Sequence, residues 1–104
     1  MNIESLLQCG AENALSTAEL LELTDFRTAR ELQKQIAAER ERGALILSST
    51  SGYFMPSQNL ERREREIRAF IRTLRARALS TLKVLRSASR AVKVSGQQEK
   101  IAGW

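Results

Sequence analysis

Apolar residues recur along this chain with two periods, and the switches between them predict its elements. Ile3, Leu6 and Leu7 are spaced as on one helical face, which predicts a short helix over residues 2–9 stopped by Gly10. Ala14 and Leu15, between polar neighbours, read as a short strand that pairs with a later hairpin. Ser16-Thr17-Ala18-Glu19 has the capping-box pattern, in which hydroxyl and carboxylate satisfy free backbone donors at a helix start. A helix over residues 17–23 comes next, and its leucines Leu20, Leu21 and Leu23 face several directions, which predicts near-complete burial. Beyond Thr24, Asp25 is the expected cap of a third helix over residues 26–42, and Gly43 is its left-handed stop. At about 100° per residue, Ala29, Leu32 and Ile36 share an inner stripe of that helix. Arg27, Arg30 and Lys34 lie opposite, and Glu31, Gln35, Ala38 and Glu41 share or border that outer side.

The period then drops to two. Residues 44–47 and 53–55 read as strands joined by Ser48-Ser49-Thr50-Ser51-Gly52, with Leu45 and Leu47 on one face and Ile46 on the other. Pro56 has no N–H to give and ends the second strand, and Asn59 can cap the next helix. From Leu60 to residue 94 there is no Gly or Pro. The run predicts one helix of about 35 residues, about 50 Å long, or two helices folded back near residues 78–80. Leu60, Ile67, Leu74, Thr81 and Ala88 recur every seven residues, and Glu64, Ile71, Ala78, Leu85 and Val92 form the companion set of a coiled-coil seam. Phe70, Leu79 and Leu82 widen the stripe.

The chain therefore reads as mainly α with a small β-hairpin. It divides into a body over residues 1–58, a long basic amphipathic helix over 59–94, and a flexible tail over 95–104. A body of this size buries little core alone. The long stripe needs a cover, either the body of its own chain or the same helix of a second one. Dimerisation is expected through Leu60, Ile67, Ile71, Leu74, Ala78, Leu85 and Val92.

Charge changes the picture. The net charge is +5, yet residues 1–58 hold five Lys or Arg against eight Asp or Glu, and residues 59–104 hold twelve against four. The basic footprint lies mainly outside the body. The single Cys9 cannot form an internal disulfide and is expected to pack as a small hydrophobe near the end of the first helix, which suits a reducing, cytoplasmic setting. With no His and no second Cys, a zinc site is not expected, and no motif calls for a cofactor. No apolar run approaches the ~18 residues of a membrane span, and the first ten residues lack the basic start of a secretory signal.

Catalysis finds little to use. There is no His, no Gly-rich phosphate loop and no activated Ser or Thr. The pairs Glu39/Glu41 and Glu64/Glu66 point in different directions on their helices and read as solvated faces. No enzyme is expected. Arg27, Arg30 and Lys34 suit contacts to base edges or phosphates, with added hydrogen bonds from Thr28 and Gln35; the alternative is a solvated face laced by pairs such as Arg27–Glu31. The turn at Ser49, Thr50 and Ser51 carries no Lys or Arg but offers hydroxyls and N–H groups to phosphates. No acid follows Glu66 until Glu99, so the later cations of the long helix are unpaired within it. They suit a nucleic-acid backbone, with salt-dependent binding, or else simply solubilise a coiled coil.

Residues 10–56 resemble the winged-helix–turn–helix superfamily. The resemblance rests on Ser16-Thr17-Ala18-Glu19-Leu20-Leu21, the Thr24-Asp25 turn, Arg27-Thr28-Ala29-Arg30, and the hairpin Gly43-Ala44-Leu45-Ile46-Leu47 with Gly52-Tyr53-Phe54-Met55-Pro56. More narrowly, the run is similar to small proteins of bacterial prophages and mobile elements. The resemblance covers about half the chain and implies double-stranded DNA as partner, with the second helix of the pair in the major groove. The expectation is a dimeric transcriptional regulator or mobile-element accessory protein. The alternative is a protein-interaction module whose body or seam docks a partner without touching DNA. A single-strand or RNA binder is weakened by the few aromatic residues: Phe26, Tyr53, Phe54, Phe70 and Trp104.

Overall fold

Helix α1 (Thr17–Leu23) starts where its capping box places it: the Ser16 hydroxyl accepts from the Glu19 N–H at 3.1 Å, and the Glu19 carboxylate accepts from the Ser16 N–H at 2.9 Å. The Ser16 backbone N–H first, and the nearby Ser16 hydroxyl second, hold the Glu19 carboxyl below the usual carboxylate range. Its leucines are not uniformly buried. Leu20 is fully covered while Leu23 is 52% exposed, because a helix of seven residues presents only one face to the core.

A computed structural model describes residues 2–94, and the tail expected over residues 95–104, with Trp104, lies outside the described residues. The chain is mostly helical, with a small antiparallel hairpin and a long C-terminal helix. After two 3₁₀ turns, Glu4–Leu6 and Ala11–Asn13, come α1, α2 (Ala29–Glu41), β1 (Leu47–Ser49), β2 (Gly52–Phe54) and α3 (Leu60–Val94). Two units are distinct, residues 1–71 and residues 72–104.

In the first unit, α2 begins three residues later than the sequence suggests. Thr28, not Asp25, is its cap: the hydroxyl accepts from the Glu31 N–H at 3.2 Å, and the Glu31 carboxylate reaches back to the Arg27 N–H. The spacing Thr28-x-x-Glu31 repeats that of Ser16-x-x-Glu19, and it wins over a lone Asp. Ala29 is consequently an exposed first-turn residue, and the inner stripe is Leu32, Ile36 and Glu39. The helix ends as expected at Gly43, with φ at +103°. The Gly43 N–H bonds the Arg40 carbonyl and the Ala44 N–H bonds the Glu39 carbonyl, the two bonds of a Schellman stop.

The helix expected over residues 2–9 does not form. The Met55 N–H donates to the Gln8 carbonyl and the Gly10 N–H to the Met55 carbonyl, which bridges Cys9 to Met55 in strand fashion. A segment paired to a strand has no backbone groups left for a helix. Cys9 lies at the surface, not in the core, with its neighbours Gln8 and Gly10 bonded to Met55. Further back, the Glu39 carboxylate accepts from the Ile3 N–H at 2.6 Å, the Glu4 N–H at 2.8 Å and the Gln35 amide at 2.7 Å. Glu39 is therefore no solvated residue; it is 3% exposed. Burial is the largest single influence on its carboxyl and pushes it up. The Ile3, Gln35 and Glu4 bonds together with the Arg42 charge outweigh that and leave it below the usual range.

The hairpin is shifted towards its turn relative to expectation, and its register Leu47↔Phe54, Ser48↔Tyr53, Ser49↔Gly52 leaves Thr50 and Ser51 as a two-residue tip. Alternation holds upstream of it. Ile46 packs with Ile3, Leu7, Leu20, Leu32 and Ile36 on one side, and Leu45 and Leu47 pack with Phe54, Phe70 and Ile67 on the other. The short strand expected at Ala14-Leu15 is a single bridge, with Leu15 and Tyr53 exchanging both N–H···O bonds at 2.9 and 2.8 Å. Arg40 ties the layers together: its Nε donates to the Ile46 carbonyl at 2.9 Å and its guanidinium lies 4.8 Å from the Phe70 ring centre.

Helix α3 starts with Asn59 accepting from the Arg62 N–H, as its sequence suggests. Its first three turns belong to the body. Glu66 accepts from the Ser57 N–H at 2.7 Å, the Ser57 hydroxyl at 2.8 Å and the Ala11 N–H at 3.2 Å, so it too is more than a solvated charge. Burial pushes the Glu66 carboxyl up, but the Ser57 and Ala11 bonds and the Arg62 charge leave it lowered. Arg62 also pairs with Glu12. These contacts carry the body past the boundary expected at residue 58, to Ile71. In the second unit the helix continues without a break at residues 78–80.

Candidate nucleic-acid interface

The outer face of α2 follows from its inner one. With Leu32, Ile36 and Glu39 fixed against the body, the 100° step turns Arg30, Lys34, Ala37 and Glu41 away from it, and all four are exposed. Arg30 and Lys34 stand one turn apart, about 6 Å along the axis. Arg27 is exposed in the turn just before the helix, and Gln33, a position the sequence pattern does not single out, borders the same face. Of the acids on or beside this face, Glu31 is engaged at the helix start and Glu41 stands at the far end.

Two expected contact residues have other work. The Thr28 hydroxyl is the cap of α2, and the Gln35 amide is held by Glu39 on the partly buried side. The Gln35–Glu39 spacing of four was the available signal that both belong to one inward cluster. At the hairpin, the Ser49 hydroxyl accepts from the Ser51 N–H and shapes the turn, while Thr50 and Ser51 are exposed at its tip. No charge accompanies them.

The expected seam also divides. Leu60 stands at the helix start, 79% exposed, and Ile67 is already covered by the body of its own chain beside Phe70. Ile67 is thus partly covered within its own chain. Ile71 closes the first unit with 43% exposure. In the second unit Leu74, Ala78 and Leu85 are exposed and Val92 is half-buried. There the cations Arg72, Arg75, Lys83, Arg86, Arg90 and Lys93 fall within an arc of about 80° at the helical step. Arg77 stands alone across the apolar seam, and the helix has no acid after Glu66.

Among the described residues no group of acids, His or Cys is arranged to hold a metal ion, and no helix is long and apolar enough to cross a membrane. No family model, no curated protein and no solved structure matches the chain, so what it does must be read from its own geometry and charge.

Proposed function

We propose that the chain binds double-stranded DNA as a homodimer, in the manner of a winged helix, and serves as a transcriptional regulator or mobile-element accessory protein in the cytoplasm. One observation carries this reading. Arg30 and Lys34 are exposed on the core-averted face of a helix that follows α1 across a short turn and precedes a hairpin. In that order of elements the second helix enters the major groove, with residues near its N-terminus on base edges. Arg27 and Arg30 occupy that end of α2, where the helix dipole also favours phosphate. The uncharged tip at Thr50 and Ser51 would contribute N–H and hydroxyl bonds alone, and the cations of α3 a salt-dependent, sequence-independent affinity.

The test is a titration of duplex DNA with the wild-type chain and with the double variant Arg30→Ala, Lys34→Ala. Both side chains are exposed, so folding should be unchanged, and affinity should fall about 10- to 100-fold if one contact reads a base and the other a phosphate. Equal affinity would remove α2 from the interface. The second reading, a protein-interaction module, is favoured by the excess of acids over bases in residues 1–58 and by the exposed seam at Leu74 and Leu85. It would stand if no duplex binds at low salt.

A further inference from the structure

The second unit of α3 presents three kinds of surface. Its seam runs through Leu74, Ala78, Thr81, Leu85, Ala88 and Val92. One flank of the seam carries Arg75, Leu82 and Ser89, and the other carries Arg77, Val84 and Ala91. The remaining cations lie beyond the first flank. Thr81, Val84, Leu85 and Ala88, with Ser80, line an open apolar depression. Positions i, i+3, i+4 and i+7 are the four that form a hole for one incoming side chain in a coiled coil.

We propose that this seam is covered by the same helix of a second copy, running antiparallel and centred on Lys83. The proposal rests on the dimer part of the reading above and fixes its orientation. In an antiparallel pair each flank faces its own kind. Centred on Lys83, Arg75 meets Ser89 of the second copy and Arg77 meets Ala91, so the two cations nearest the seam face small neutral residues. Leu82 meets Leu82 and Val84 meets Val84, which pairs the apolar flank residues with each other. Along the seam Leu74 meets Val92, Thr81 meets Leu85 and Ala78 meets Ala88.

A parallel pair in register does worse with the same residues. It stacks Thr81 on Thr81, and it sets the like ends of the helix dipoles side by side. Antiparallel pairing has a further consequence. Because like flanks meet, the cationic arcs of both copies come to one side of the pair and leave Thr73, Ser80 and Ser87 on the other. That side is a single basic track suited to a phosphate backbone.

Disulfide trapping in the full chain tests this, because the bond forms only where Cβ atoms approach within about 4.5 Å. With Cys9→Ser as background, Leu74→Cys and Val92→Cys chains are oxidised separately and as a mixture. The expected result is a mixed Leu74→Cys/Val92→Cys disulfide formed at least about tenfold more than either like-with-like product. Predominant like-with-like disulfides would overturn the antiparallel arrangement and leave the dimer standing, as would a dimer in sedimentation that gives no mixed disulfide. A wild-type chain that sediments as a monomer would overturn both.

Discussion

Replacing Gly52 with alanine is expected to cost about 3–5 kcal/mol, enough to unfold much of the first unit. Gly52 holds φ at +130°, which alone strains an L-residue. An added Cβ would also stand 2.2 Å from the Leu15 carbonyl oxygen and 2.5 Å from its carbon. Both are backbone atoms, locked by the two-way pairing of Leu15 with Tyr53. Nothing flexible can yield, so the bridge or the hairpin register must break. A unit of about 70 residues has about 4–10 kcal/mol in total, so a loss of this size is a large share. Hydrogen exchange at the Leu32 and Ile36 amides measures it, since both residues sit in the core of that unit. Gly43→Ala is the contrast. It has φ at +103° but nothing within 4 Å of the new Cβ, so only the strain remains, about 1 kcal/mol. Similar losses at both sites would contradict the close approach at Leu15.

Removing the Glu39 carboxylate is expected to release the N-terminal segment. Glu39→Ala leaves the Ile3 and Glu4 N–H groups and the Gln35 amide without their acceptor, and Ile3 is fully buried. Buried donors left unmade cost about 1–3 kcal/mol each, and fraying of the segment recovers part of that, so a net loss of about 2–4 kcal/mol is expected. At about 4–8 °C per kcal/mol, the melting midpoint should fall by about 8–32 °C. The same carboxylate makes stability depend on pH. Its folded-state pKa lies below the unfolded one, so its contribution is complete above the usual carboxylate range and is lost as pH falls through the lowered folded value. Glu66 and Glu19 are lowered too and act in the same direction. Melting curves of wild type and Glu39→Gln between neutral and acid pH should converge as pH drops. A constant gap between them would mean that the charge on Glu39 contributes nothing.

Much of the fold was legible because it is written in local chemistry. Capping at Ser16 and Glu19, the stop at Gly43, the alternation at Leu45, Ile46 and Leu47, and the unbroken run from Leu60 all depend on residues close in sequence. What escaped depends on partners far along the chain. The helical spacing of Ile3, Leu6 and Leu7 was real, yet Met55 and Glu39 claim the backbone around them. Glu39 and Glu66 look like ordinary surface acids until the donors of residues 3, 4, 11 and 57 are brought to them. Arg40 counted only as charge in the sequence, though its neighbours are a carbonyl and the Phe70 ring. At the candidate interface, Arg27, Arg30 and Lys34 are exposed as the helical period implies. Thr28 and Gln35 carry other bonds, a cap and an inward contact to Glu39, which use the same polar atoms as a ligand contact would.

The proposed contact lies between the outer face of α2 and double-stranded DNA. Amide chemical-shift mapping during titration with a mixed-sequence duplex tests it most directly, since the chain of 104 residues is small enough to follow amide by amide. The largest shifts are expected from Arg27 to Lys34, with smaller ones at Thr50 and Ser51 and along the cations of α3. Shifts confined to α3, or none at low salt, would contradict it.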